Sequence, residues 1–326
     1  MTKGFAAKFF STGLWSAILI IFLLALPFFL RPSWVSLVNE MLIMALAGSA
    51  LNLMLGYGGM VSFGPAGLYA VGAYTTAILL TRYHLPFPLA VLAAPLAAAA
   101  VGLIVGWFCV RRSAVYFALL TLAFAQIIWT IIFEWYDVTR GDNGIVSIPI
   151  PDVLFSITPS YYFILAVVTV CLFLLWTIVH SPFGTTLQAI RENPMRTEFI
   201  AVHVRRYQLA VFVLSSFFLG VAGSLFCVFA GSVFPDYAHW TKSTDMLVVC
   251  LLGGIYNFAG PIVGSVVYIL ISKIISKNTT YWMFFLGIIV VILVLYMRNG
   301  LVGFASEKLA QIKNKSERLE NKEGLP

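Results

Sequence analysis

The sequence predicts an all-α fold, a polytopic helical membrane protein of about ten transmembrane spans with two segments broken by glycine and proline. Three observations predict it. Hydrophobic residues make up 61% of the 326 residues and charged residues only 10%, where a soluble domain carries about a quarter charged. Apolar runs of membrane-crossing length, about 20 residues each, recur along the chain. Basic residues gather in alternate polar intervals, as loops held in the cytosol do. The net charge of +7 belongs to those loops and the tail. No aromatic and basic platform lies outside the spans, so nucleic-acid binding is not expected.

Taken in order, Lys3 and Lys8 precede an apolar run at residues 14–30. The "RPSWV" that follows lacks a small-x-small cleavage signal. The run therefore reads as an uncleaved first span, with residues 1–13 in the cytosol. A second span covers about 34–55 and carries Asn39, Glu40 and Asn52. The third, 56–80, is heavily interrupted by glycine. The fourth, 89–110, ends on Arg111 and Arg112, a cytosolic anchor, and 115–135 is the fifth. The interval 136–160 sets Asp137, Asp142 and Asp152 against Arg140 alone and is placed outside. A sixth span, 161–179, leads into the basic stretch 180–206, placed in the cytosol, and a seventh covers 207–230. Residues 234–242 return to the outer side, and the tail 298–326, with Lys308, Lys313, Lys315, Arg318 and Lys322, is cytosolic.

Passing from outside at Pro235 to inside at Arg298 takes an odd number of crossings. Gly253-Gly254 and Gly260-Pro261 interrupt 246–275, so three crossings are read there, the last at 282–297. That makes ten in a membrane domain of 14–297, with eight as the fallback.

The first broken segment is "GYGGMVSFGPAGLYAVG". Ser62 is placed to cap a fresh helix, and Pro65 suits its first turn. Unwound backbone at membrane depth is tolerated only inside protein or along a watery cavity. A half-helix N-terminus there offers N–H groups and a positive dipole end to a substrate carboxylate. Close helix packing through small residues accounts for the same pattern equally well. "GGIYNFAGP", from Gly253, echoes "GGMVSFGP", from Gly58. Paired breaks of this kind point to a transport path built from related halves. The candidate path residues are Asn52, Ser62, Gly64, Pro65, Gly67, Gly253, Gly254 and Gly260.

The stretch 180–206 carries Arg191, Arg196, Arg205 and Arg206 against Glu192 and Glu198. Pro182, Gly184 and Pro194 punctuate it and leave a helix of two to three turns over 185–193. Leu187 and Ile190 share one face of that helix, with Gln188, Arg191 and Glu192 turned elsewhere. Such a helix is too short to stand alone in water. Two readings stay open, a solvated loop or a helix that docks on a soluble motor. In the second, Leu187 and Ile190 enter the partner's groove, and Arg191 and Glu192 form the polar rim.

No catalytic constellation is visible. There is no G-x-x-x-x-G-K-[ST] loop for ATP, and His84, His180, His203 and His239 lack ligand spacing. Cys109, Cys171, Cys227 and Cys250 each lie singly in an apolar run, with neither a zinc nor a disulfide pattern. No metal or other cofactor is expected. Glu40 is the one carboxylate well inside a span, either a functional group or a hydrogen-bond partner of Asn39 or of a neighbouring helix. Gln126 and Asn52 suit contacts between helices. An ion-coupled transporter would be expected to show further intramembrane acid–base pairs, and a membrane enzyme a polar cluster.

"FGTTLQAIRENPMRTEFIAVHVRRYQLAVFVLSS" resembles the cytosolic loop and following span of the branched-chain amino-acid ABC transporter permeases. "RRSAVYFALLTLAFAQ" and "DVTRGDNGI" are similar to the LivM-type branch of that family. "LNLMLGYGGMVSFGPAGLYAVGAYTTAIL" and "LLGGIYNFAGPIVGS" resemble two further signatures, so the likeness spans about residues 39–297. It implies that Gly184, Ala189, Ile190, Arg191, Glu192 and Asn193 belong to the motif that contacts the ATPase. It further implies a non-enzymatic subunit in a bacterial inner membrane. The partners would be a homologous second permease, two ATP-binding subunits that bind and hydrolyse the ATP, and an extracytoplasmic binding protein. The substrates would be leucine, isoleucine and valine; urea, amides or other small amino acids are the alternative. The chain departs from the family near Met60, where many relatives carry Gln, and near Pro65, where a polar residue or His is common. It departs again at Ala201, where Gly is usual.

Overall fold

The computed structural model describes residues 23–112, 114–279, 281–296 and 300–304. The expected N-terminal segment 1–13, most of the first span and the tail beyond residue 304 lie outside the described residues. Residues 23–29 are helical. Helix α1 is Pro32–Asn52, running on as a π-turn over Leu53–Tyr57. Then follow α2 (Pro65–Thr81), α3 (Phe87–Cys109), α4 (Ala114–Glu134) and α5 (Ile157–Val179). The polar stretch holds α6 (Pro182–Glu192) and α7 (Pro194–Phe199), ahead of α8 (Val204–Ala230). The chain continues through α9 (Trp240–Gly253), α10 (Gly260–Asn278) and α11 (Trp282–Tyr296). Proline in the first turn opens α1, α2, α3, α6, α7 and α10, where its missing N–H would be unpaired anyway.

Among the described residues, six helices are long and apolar enough to cross a membrane: α1 with its π-turn, α3, α4, α5, α8 and α10. The others in the expected series, α2, α9 and α11, have 17, 14 and 15 residues. At about 1.5 Å per residue their described lengths run from about 21 to 26 Å, shorter than the six. Nine of the ten expected crossings fall on described helices, but among the described residues only six are long and apolar enough to cross, and most of the first expected span lies outside those residues. The expected third span, 56–80, is helical only from Pro65, because its first residues end the π-turn and then run as non-helical chain to Gly64. The expected division of 246–275 is present, with α9 ending at Gly253 and α10 starting at Gly260.

Helix α8 lies at the centre against α1, α2 and α3, while α1 is flanked by α5 and α10, and α9 pairs with α10. Lipid tails are as apolar as leucine, so these contacts rest on close packing and on hydrogen bonds between helices. A Cβ on Gly223 of α8 would sit 1.9 Å from the carbonyl oxygen of Tyr69 in α2, and only glycine permits that approach. Thr76 donates to Ser224 Oγ at 2.7 Å, and Ser215 to the carbonyl of Ala50 at 2.6 Å. Leu92, Leu96 and Leu103 of α3, Leu119 and Ile131 of α4, and Val170 and Phe173 of α5 face outward. All four cysteines are buried and unbridged. On the side placed outside, β1 (Ile145–Val146) pairs antiparallel with β2 (Ser232–Val233) and pins the 136–160 interval to the end of α8.

Candidate functional site: two apposed helix breaks under a short amphipathic helix

The two broken segments touch. Asn52, at the end of α1, donates from Nδ2 to the carbonyl of Asn257 in the second break at 3.4 Å. A Cβ on Gly56 would lie 2.0 Å from the carbonyl oxygen of Ile255. The resemblance between "GGMVSFGP" and "GGIYNFAGP" is therefore one of place as well as of composition. Both segments leave a helix, turn through a glycine of positive φ (Gly59 at 66°, Gly254 at 111°) and re-enter a helix with proline in its first turn.

Around the first break the chain takes up its own polar groups. Ser62 does not cap α2: the N-cap position is Gly64, and Ser62 Oγ instead accepts from the Gly64 N–H at 3.2 Å. The Ala66 N–H donates to Ser243 Oγ of α9 at 3.1 Å, and the Phe63 N–H to Thr121 Oγ1 of α4 at 3.2 Å. Pro65 occupies the first turn as expected. Gly64 and Gly67 let this helix start lie on α4, where added Cβ atoms would come 2.5 Å from the Thr121 carbonyl oxygen and 3.2 Å from Ala125 Cα. In the second break, Gly253 and Gly260 form the neck of a tight loop, and a Cβ on Gly253 would lie 1.7 Å from the Gly260 carbonyl oxygen.

Helix α6 differs from expectation in the direction of its faces. Leu187 and Ile190 are 0% and 1% exposed within this chain. They cannot fill a partner's groove, because α6 lies back on its own membrane domain and uses its apolar face there. Gly184 makes this possible, since any side chain would meet the Val179 carbonyl at the end of α5. Arg191, expected on the rim, points inward: its Nη1 donates to the Gly56 carbonyl, and its guanidinium lies 5.1 Å from the Tyr256 ring centroid. Ala189 and Glu192 face solvent. Asn193 caps the next helix, its side-chain oxygen accepting from the Arg196 N–H at 3.0 Å.

The exposed apolar surface of this stretch lies where the sequence reading did not place it. Met195 is 71%, Phe199 86% and Ile200 72% exposed. Arg196, Glu198, Arg205 and Arg206, also exposed, surround them in sequence. In so short a helix these residues show no repeating stripe. The available signal was three large apolar side chains within six residues of a charged segment.

The turn after α7 places Ala201 at φ 64°, the region in which a Cβ costs roughly 1–2 kcal/mol. Ala201 is exposed and gives up no core contact. Ala201→Gly is therefore expected to raise stability by about 0.5 kcal/mol net of glycine's extra chain entropy, seen as a small rise in the melting temperature of the detergent-solubilised protein.

Glu40 and Asn39 occupy different faces of α1. Both amide atoms of Asn39 are buried and make no hydrogen bond among the described residues, so the expected Asn39–Glu40 bond is absent. Glu40 lines a cavity of about 30 Å³ with Tyr69, Phe226, Lys242 and Tyr268. That is room for a water or two and not for an amino acid. Beside it Asp245 accepts from the Tyr268 hydroxyl at 2.6 Å and pairs with Lys242 at 3.9 Å. No group of three or more metal-ligating side chains occurs among the described residues.

Comparison with known proteins gives the family. Residues 33–294 match the family described as branched-chain amino acid transport system / permease component. The high-affinity branched-chain amino acid transport system permease protein LivM of Escherichia coli (strain K12) is 28% identical over 323 residues, covering 91% of this chain and 76% of the relative. The LivM protein of Salmonella typhimurium is 27% identical over 319 residues, covering 89% and 75%. No solved structure matches the chain.

Proposed function

The chain belongs to the family of branched-chain amino acid transport permeases, of the LivM type, and from that premise we propose that it forms half of the membrane path of an ATP-driven importer for leucine, isoleucine and valine. The observation that carries this reading is the family match across both breaks and the α6–α7 segment together. A homologous second permease supplies the other half of the path, and an extracytoplasmic binding protein delivers the substrate. Two ATP-binding subunits bind and hydrolyse the ATP, so no nucleotide or other cofactor is needed on this chain. The breaks around Asn52, Ser62, Gly64, Pro65 and Gly67, and around Gly253, Gly254 and Gly260, line the path at the end nearest α6.

The α6–α7 segment is the docking element. Its contact with the ATPase is made by Met195, Phe199 and Ile200, rimmed by Ala189, Glu192 and Arg196. Outside the spans no lipid is available to cover three large apolar side chains, and a protein groove covers them instead. Leu187, Ile190 and Gly184 seat the element on the permease.

The test is uptake by proteoliposomes holding the chain with its partner subunits and binding protein. ATP-dependent, ionophore-insensitive uptake of leucine, isoleucine and valine is expected. Uptake driven by an ion gradient without ATP would replace this reading with a secondary transporter, and preference for urea or amides would replace the substrate. The element belongs in the cytosol of a bacterial inner membrane, with both termini on the same side. Cysteine at Asn143 is therefore expected to react with an impermeant reagent in intact cells, and cysteine at Lys315 only after permeabilisation. Labelling at Lys315 in intact cells would overturn that orientation.

A further inference from the structure

We infer that Arg191 is a positioning residue, the link through which movement of the docking segment is passed to the two breaks; this rests on the reading of α6–α7 as the ATPase-docking element. Three contacts converge on one side chain. Nη1 of Arg191 donates to the carbonyl of Gly56 in the first break. Its guanidinium sits 5.1 Å from the ring centroid of Tyr256 in the second. Its aliphatic stem packs on Gly59, where an added Cβ would come 2.7 Å from Arg191 Cγ.

The breaks are already joined by the Asn52–Asn257 contact and by the approach of Gly56 to Ile255. Arg191 closes that pair from the α6 side. The base of the side chain is held by its neighbours in α6, because Leu187 and Ile190 are buried in the membrane domain. Helix α6 cannot shift without carrying Gly56 and Tyr256 along or breaking both contacts. Either event is felt at both breaks. The planar guanidinium suits this task, because it donates in its plane to a carbonyl while offering its face to a ring. An ammonium group, a compact point charge, lacks the flat face that lies on a ring while the edge donates.

The experiment compares the full reconstituted complex carrying wild-type chain, Arg191→Ala, Arg191→Lys, Tyr256→Leu, and Arg191→Ala with Tyr256→Leu. Leucine transported per ATP hydrolysed and ATPase co-purification are read together. Arg191→Ala is expected to retain the ATPase and its hydrolysis while transport per ATP falls roughly tenfold. Arg191→Lys should recover less than half of that loss. Tyr256→Leu should fall in the same direction, and the double variant should be no worse than Arg191→Ala, because both changes cut one link. An unchanged ratio in Arg191→Ala, or additive losses in the double variant, would overturn the inference. So would loss of the ATPase from the Arg191 variants, which would make the arginine part of the docking surface. If the wild-type complex captured no ATPase or moved leucine without ATP, the importer reading itself would fail, and the link with it.

Discussion

Serine at Met195 and Phe199 together is expected to strip the ATPase subunit from the purified complex while the permease stays folded and inserted. The two side chains are 71% and 86% exposed, so this chain loses little when they are cut back. A buried apolar anchor at the centre of an interface is worth about 2–4 kcal/mol. Losing two of them weakens association by a hundredfold or more, at about 1.4 kcal/mol per factor of ten. Leu187→Ala makes the informative contrast. Leu187 is 0% exposed inside the permease, so its truncation costs about 2–5 kcal/mol of the permease's own stability. The leucine variant should therefore lower yield and melting temperature, and the serine pair should lower only partner capture and coupled transport. Full ATPase capture by the serine pair would remove α7 from the docking surface.

Gly56→Ala is expected to cost more transport than any other one-methyl change in the first break. Its Cβ would stand 2.0 Å from the carbonyl oxygen of Ile255. The neighbour is backbone in the other break, so no flexible side chain can swing aside. Overpacking of this kind costs about 1–3 kcal/mol, and here the cost is relieved by moving the two breaks apart. Leucine uptake should fall at least about tenfold, with the protein still inserted and still binding the ATPase. Gly287→Ala in α11 is the matched control, since its Cβ would meet nothing within 4 Å. Gly56→Ala transporting at the wild-type rate would mean that the working protein does not keep the breaks in contact.

Much of the fold was legible because its signals are local. Apolar runs marked the six full-length helices to within a few residues at most of their ends. Pro65 marked a helix start, and the glycine clusters at 56–59 and 253–254 marked the breaks; Pro182 and Pro194, read as the bounds of a single helix over 185–193, each open a helix of their own. These are properties of a segment and the solvent it meets. The π-turn at Leu53–Tyr57 left no such mark, because it arises where α1 meets the second break.

The sequence picked out residues that shape the segment after α5, and it misread the way two of its faces turn. Gly184, Leu187, Ile190, Arg191 and Asn193 do organise the segment after α5. Leu187 and Ile190 turn inward because α6 folds back over Gly184 onto the membrane domain. Arg191 turns inward because an unwound Gly56 carbonyl lies within its reach. Asn193 uses its side-chain oxygen to cap α7. Met195, Phe199 and Ile200 were passed over because the expected apolar stripe was already filled.

By itself the amino-acid sequence determined that this chain lives in a membrane as a bundle of helices, where those helices break, and which polar stretch is most basic. Hydropathy, proline and glycine stereochemistry and charge act at the residue that carries them, so they can be read in one dimension. Only the tertiary structure decided which face of α6 is buried, that Asn52 and Arg191 reach across the two breaks, and which apolar side chains stay exposed. The ties between the breaks depend on residues 135 and 205 positions apart meeting in space. A short amphipathic helix offers its apolar face equally to its own fold or to another protein, and the nearest packed surface decides between them.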